Sequence, residues 1–181
     1  MVTQEERVLG DFLKSLIKDI IIAVILAAAI LYFVRPTIVK QTSMVPTLNP
    51  NDYLLIYKQA YRSSDPERGD IIVFQSELED EDGSDKLLIK RVIGLPGDTI
   101  TIKDDMVYIN GEAYEEDYLN DGITPGDIED LEIPDGQYFC MGDNRVSSVD
   151  SRDPEVGLID RDTIMGKAII RLFPLNEITT L

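Results

Sequence analysis

Ser43 and Lys90 are the residues whose types and settings point to chemistry. Ser43 stands in Gln41-Thr42-Ser43-Met44-Val45-Pro46-Thr47-Leu48, nine residues past Val34, where the one long apolar run of the chain ends. The chain has no His and a single Cys, Cys140. That removes Ser-His and Cys-His pairs, an internal disulfide and any Cys/His zinc cluster. Acid–base work near neutral pH is then left to Lys, Tyr and carboxylates. A nucleophilic serine needs a base, an exposed position and N–H donors for an oxyanion. A turn before Pro46 supplies the last two, and a Ser-Lys pair is the natural candidate for the first.

Lys90 lies in Leu88-Ile89-Lys90-Arg91-Val92-Ile93. In a strand, alternate side chains share a face. Leu88, Lys90 and Val92 point one way, so aliphatics bracket the amine. Burying an ammonium lowers its pKa, by up to about 3–5 units when fully desolvated. A lysine brought towards neutrality accepts a proton from a serine hydroxyl. The plainer alternative, a charged Lys90-Arg91 pair on an exposed edge, stays open at this level. A third cluster runs from Gly142 through Asp143, Asn144, Arg145, Ser148 and Asp150 to Arg152. Its short polar side chains suit a hydrogen-bonded loop. It offers the Ser148 hydroxyl to orient Lys90, and an Asp150–Arg152 ion pair to stiffen the site. An ordinary turn has the same composition. Cys140 reads as core.

These residues need a scaffold. Residues 1–19 have a helical, amphipathic pattern, with Val8, Leu9, Phe12, Leu13, Leu16 and Ile17 recurring at three-to-four spacing. Residues 20–34 are 15 uncharged, apolar positions, short of the about 20 that a span needs. Leu16, Ile17, Ile38 and Val39 extend the run, Lys18 and Arg35 snorkel, and Tyr32 serves as an interfacial anchor. The segment is therefore expected to span as a transmembrane helix over 20–35. A cleaved signal peptide is disfavoured by Arg35-Pro36-Thr37, which is no small-residue cleavage site. A buried core helix is the other alternative.

Net charge is −17, with 34 Asp+Glu against 17 Lys+Arg. That excludes the basic footprint of a nucleic-acid binder. Past residue 34 the chain carries 14 basic and 30 acidic groups, a net −16. An acidic body behind a near-neutral stem reads as a domain held off an anionic membrane. The N-terminus is expected inside, because the acidic bulk follows the span.

After Pro36, short β-rich runs alternate with turn residues at 53–57, 70–74, 87–93, 99–102, 106–109, 136–141 and 163–173. The expected fold is mainly β: an antiparallel sheet or partly open barrel over 36–181, behind the N-terminal transmembrane helix. Asn110-Gly111 marks a hairpin. The acidic stretch 77–85 is expected as a solvated loop, since its spacing does not fit a calcium-binding EF-hand. Residues 115–135 are expected as a loop-rich acidic insertion, so that hairpin and insertion together occupy about 103–135.

In order along the chain, these pieces resemble the type I signal peptidases, specifically the short bacterial form. Ser43-Met44-Val45-Pro46-Thr47-Leu48 resembles the nucleophile box, and Arg68-Gly69-Asp70-Ile71-Ile72-Val73-Phe74 a core-strand box. Lys90-Arg91-Val92-Ile93-Gly94-Leu95-Pro96-Gly97-Asp98 resembles the general-base box, and Gly142-Asp143-Asn144-Arg145 through Arg152 the last box. Gly166-Lys167-Ala168 with Phe173-Pro174 resembles the closing strand. The resemblance implies that Ser43 attacks the scissile carbonyl with neutral Lys90 as base. It implies that Ser148 hydrogen-bonds and orients the lysine, with Asp143, Asp150 and Arg152 as supports. It implies substrates that are secretory preproteins with small residues before the cut, bound as an added strand, with Met44 and Pro46 as substrate contacts. It implies a single-pass protein of the cell membrane, N-terminus cytoplasmic and catalytic domain extracytoplasmic, with lipid as its surroundings. No metal or other cofactor is implied. One departure stands out. Some relatives carry a serine two positions before the nucleophile as an oxyanion donor, and here that position is Gln41. The Ser43 N–H is one donor, and the Gln41 amide is a candidate for the second.

Two other readings compete. A self-cleaving Ser-Lys protease of the repressor type would carry a basic recognition helix, which this chain lacks. A non-enzymatic β domain displayed on a membrane is the alternative from another class.

Overall fold

The structure, a computed structural model, describes residues 4–80 and 83–181. The chain divides into two units, residues 1–35 and 36–181. The first is a single helix, α1 (Gln4–Phe33). It runs unbroken from Gln4 through the rest of the segment expected to be amphipathic and on to Phe33, so the expected span over 20–35 is helical except for its last two residues, Val34 and Arg35, which open a strand. Within it, Phe12–Phe33 is 22 residues long with a mean hydropathy of 2.4, long and apolar enough to cross a membrane. The side chains of Phe12 to Phe33 are exposed. Those of Val8 and Leu9 lie outside the described ones, as do residues 81–82 of the acidic stretch.

After α1 the chain forms β1 (Val34–Ile38), β2 (Tyr53–Tyr57), β3 (Ile71–Glu79), β4 (Asp85–Gly94), β5 (Thr99–Lys103), β6 (Met106–Ile109), β7 (Glu112–Ala113), β8 (Ile128–Glu132), β9 (Gln137–Met141), β10 (Ile159–Asp160), β11 (Ile164–Phe173) and β12 (Thr179–Thr180). Strands β1-β2-β11-β3-β4-β9-β10 form one open sheet, which β12 joins by pairing with β11. Strands β7-β6-β5-β8 form a second sheet. The expectation of a mainly β body of antiparallel sheet behind one apolar helix holds. The Asn110-Gly111 turn holds too. Both residues have positive φ, 54° and 83°, and Ile109 pairs with Glu112 across them, a two-residue hairpin of the primed type.

Two expectations need correction. The acidic stretch 77–85 is not all loop, because β3 and β4 continue into it and Glu79 pairs with Asp85. Backbone pairing at an exposed hairpin end needs no apolar alternation, so composition hid it. The insertion 115–135 contains β8, whose Leu131 and Ile128 pair with Ile100 and Ile102 of β5 and pack on the second core.

Three apolar clusters fill the body. One joins Val39, Met44 and Leu48 to Leu54, Ile56, Ile71, Val73 and Ala168. A second lies on the smaller sheet around Ile93, Ile100, Ile102, Phe139 and Met141. The third gathers Ile72, Phe74, Leu88, Val92, Tyr138 and Cys140. Cys140 is therefore core, as expected, and burial pushes its thiol pKa up.

Candidate active site

Strand alternation puts Leu88, Lys90 and Val92 on the face of the third cluster. Ile72 lies directly across β3 from Lys90, and Cys140 across β9 from Val92. Lys90 is consequently 1% exposed. That burial lowers its pKa from 10.5 to about 8, against the opposing pull of the Asp150 carboxylate. The Nζ lies 2.9 Å from Ser43 Oγ. The exposed-edge alternative for Lys90 is therefore excluded by its surroundings.

Ser43 is presented by a turn that the sequence anchors on both sides. Met44 and Leu48 are both buried in the first cluster, each burial stabilising by roughly 1.5–3 kcal/mol. Val45 N–H donates to Thr42 O at 3.1 Å, and Leu48 N–H to Met44 O at 2.8 Å. This corrects the expectation for Met44: its side chain is 1% exposed, a core anchor with no surface to offer a substrate. Pro46 and Gln41 are exposed, and Ser43 is half-buried. The turn is also tied from outside. Asn144 N–H donates to Ser43 O at 2.9 Å, and Asn144 Nδ2 to Thr42 O at 3.1 Å. Arg171 donates to Thr47 O at 3.1 Å and to Asp52 at 3.2 Å. Among described residues the Ser43 N–H has no acceptor, which leaves it available to an oxyanion.

The loop after β9 brings the polar residues from Gly142 to Arg152 up to Ser43. Asp150, fully buried, accepts from Gly142 N–H at 3.0 Å and from Arg152 Nε at 2.8 Å. Arg152 also donates to Arg145 O at 2.7 Å and to Pro125 O at 2.9 Å. Asp143 takes both prongs of Arg91, at 2.9 and 2.7 Å, and Arg91 donates onward to Gly69 O at 3.0 Å. Asp143, Asp150 and Arg152, the residues expected as supports, are thus each held by ion pairs, Asp143 to Arg91 and Asp150 to Arg152. Gly142 is required, because a Cβ there would overlap the Ser43 carbonyl oxygen and Ser148 Oγ. Ser148 is close to the site, but the expected hydrogen bond to Lys90 is not made. Its Oγ is shielded from solvent and has no hydrogen-bond partner among the described residues.

Sequence reasoning missed several contacts. Asn144 as holder of the Ser43 carbonyl was in the quoted cluster, yet no spacing rule aims it there. Glu116 and Tyr118 were absorbed into an acidic insertion. Glu116 in fact accepts from Arg145 at 2.8 Å and from Tyr118 OH at 2.6 Å. The Arg91 guanidinium lies 4.1 Å from the Tyr118 ring centroid. Among described residues, no cluster of three or more metal-ligating side chains occurs.

A buried amine whose pKa is lowered to about 8, set 2.9 Å from a serine hydroxyl whose own N–H has no acceptor among the described residues, is equipped for acyl transfer. Comparison with known proteins gives the same direction. The family described as signal peptidase, peptidase S26, matches residues 13–173. The signal peptidase I of Bacillus licheniformis is 42% identical over 174 residues, covering 90% of this chain and 89% of that protein. Signal peptidase I T of Bacillus subtilis (strain 168) is 39% identical over 170 residues, covering 88% and 85%. A crystal structure of a signal peptidase I from Enterococcus faecalis V583 aligns at 36% identity with a TM-score of 0.47, over 57% of this chain and 97% of that one.

Proposed function

The chain belongs to the signal peptidase family, peptidase S26, whose activity is peptide-bond hydrolysis, and on that footing we propose that Ser43 is its nucleophile and Lys90 its general base. The observation that carries this is the 2.9 Å approach of a buried lysine amine to a serine hydroxyl. The neutral amine accepts the hydroxyl proton as Oγ attacks the scissile carbonyl. Negative charge on the former carbonyl oxygen is met by the Ser43 N–H. The exposed Gln41 side chain is the second donor; losing one such donor costs about 10²–10³ in turnover in other serine proteases. The protonated Lys90 then gives its proton to the leaving amine. A water deprotonated by the same amine releases the acyl group from Oγ. Asp143, Asp150 and Arg152 support the loop, and the Ser148 hydroxyl turns to Lys90 during turnover.

The substrates are secretory preproteins with small residues before the cut. They lie extended along the site, and Pro46 borders their path. The apolar helix anchors the protein in the membrane as a single span. Residues 1–19 are cytoplasmic, 20–35 cross, and 36–181 lie outside. Nine residues separate Val34 from Ser43, so even an extended linker reaches only about 30 Å. That limits how far the nucleophile can stand from the end of the span. Family membership sets aside both the display module and the repressor-type protease.

The deciding experiment is precursor cleavage by the full chain in detergent or liposomes, comparing wild type with Ser43→Ala and Lys90→Ala. Both variants are expected to fold and to release no mature protein. Folded variants that cleave at the wild-type rate would end this assignment.

A further inference from the structure

The acidic arm at 115–126, which no motif in the chain accounts for, is wired into the site from both ends. At its start, the Glu116 carboxylate accepts from Arg145 through two nitrogens and from the Tyr118 hydroxyl. This ion pair is nearly dry, with side-chain exposures of 1% for Arg145 and 5% for Glu116. At its end, Thr124 Oγ1 accepts from the same Arg145 nitrogen that reaches Glu116 Oε2, and Pro125 O accepts from Arg152. Arg145 Nε donates to Gly142 O at 3.0 Å. Gly142 is the residue wedged between Ser148 and the Ser43 carbonyl, and the neighbouring Asn144 holds that carbonyl. A second line runs from the Tyr118 ring to Arg91, and from Arg91 to Asp143 and Gly69. Arg91 also donates to Thr47 Oγ1 in the nucleophile turn, at 3.4 Å.

A buried ion pair adds little to stability over apolar packing, and its better-attested use is to fix register. Here the register being fixed is that of the loop against Ser43. We propose that Glu116 and Tyr118 are positioning residues for the reaction: through Arg145 and Arg91 they hold the 142–148 loop and the nucleophile turn in the geometry that joins Ser43 to Lys90. The arm is then a strut, not an ornament of the surface. This inference rests on the assignment of Ser43 and Lys90 above.

The test measures kcat, KM, thermal midpoint and the pH midpoint of kcat/KM for the full chain in detergent. The variants are Glu116→Gln, Arg145→Gln, the two together, and Tyr118→Phe. Tyr118→Phe keeps the ring over Arg91 and removes only the bond to Glu116, so it reports even if Glu116→Gln does not fold. A misplacement of about 1 Å at a reacting group can cost about 100-fold. Glu116→Gln is expected to lower kcat by about tenfold or more on that scale, with KM nearly unchanged. The pH midpoint should move up as water reaches Lys90. The double variant should lose no more kcat than the worse single one, because both cut one line of contacts. Tyr118→Phe should show a smaller loss in the same direction. Wild-type kcat and pH midpoint in Tyr118→Phe and in folded Glu116→Gln, with only the thermal midpoint lowered, would overturn the proposal. So would losses that multiply in the double variant. Ser43→Ala in the same assay separates the two levels. If it stays active, the dyad assignment fails; if it is inactive while the arm variants match wild type, only the strut fails.

Discussion

Lys90 Nζ and Ser43 Oγ stand 2.9 Å apart, although 47 positions separate them in the chain. The contact exists because β4 turns Lys90 into the third apolar cluster while Met44 and Leu48 sink their turn into the first. Burial leaves the amine with a pKa of about 8. Activity through a neutral amine therefore rises with pH across a midpoint near 8 and levels off above it. The measurement is kcat/KM against pH in detergent. A profile flat across that midpoint removes Lys90 from the role of base.

The same burial has a cost in stability. The folded pKa, about 8, lies below the unfolded 10.5, so between those values the unfolded chain binds more protons and stability rises with pH. Below pH 8 the full cost is present. At ~1.4 kcal/mol per unit the shift from 10.5 to about 8 is worth about 3 kcal/mol. Lys90→Met is thus expected to be inactive yet more stable at pH 7, by about 1–3 kcal/mol after the lost contact to Ser43 is counted. The gain should shrink near pH 10. Denaturant unfolding at the two pH values checks it, and a destabilised Lys90→Met contradicts it.

Much of this was legible from the chain alone, and the reasons differ by element. Strand alternation around Lys90 gave its face, and Asn110-Gly111 gave its hairpin, because both depend on neighbours in sequence. Ser43 stood out because the absence of His narrows the available bases. Met44 misled because a turn residue next to a nucleophile can point either way, and only the packed first cluster decides. Glu116 stayed hidden because its partner Arg145 is 29 positions away and the charge pattern of residues 115–121 looks solvated. Ser148 was aimed at Lys90 by resemblance, while its Oγ here has no partner among the described residues.

Gly142 permits the close approach of two chain segments, and that makes it a sharp probe. Gly142→Ala forces its new methyl against the Ser43 carbonyl oxygen. Backbone atoms cannot rotate away, so the turn must shift. The expected result is a fall in kcat/KM of about 100-fold or more, with a lowered thermal midpoint. Near-wild-type activity would mean that the loop and the turn are not in register as described.

Ser148 offers a separation of stability from turnover. Its hydroxyl is shielded and has no partner among the described residues, and such a group costs about 1–3 kcal/mol. Ser148→Ala is therefore expected to keep or slightly raise the thermal midpoint. If the hydroxyl turns to Lys90 in the reacting state, the same variant loses kcat by about 10–100-fold, in the range of general acid–base assistance. Unchanged kcat would assign Ser148 no part in orienting the lysine.

Arg91 and Asp143 make the last prediction. Their two-pronged pair has side-chain exposures of only 12% and 0%. Removing one member strands a charge, so Asp143→Ala should destabilise by about 3–5 kcal/mol. Replacing both, as Arg91→Met with Asp143→Leu, removes the stranded charge and should recover most of that loss. Activity should not recover with it. Arg91 also holds Gly69 O and Thr47 Oγ1, and a methionine makes neither bond. Arg91→Lys should be poor as well, because an ammonium cannot reproduce the planar fork. Chemical denaturation and precursor cleavage on the three variants test this together. Recovery of activity along with stability in the double variant would show that the pair supports the fold alone and leaves the nucleophile turn to be held by Asn144 and Arg171.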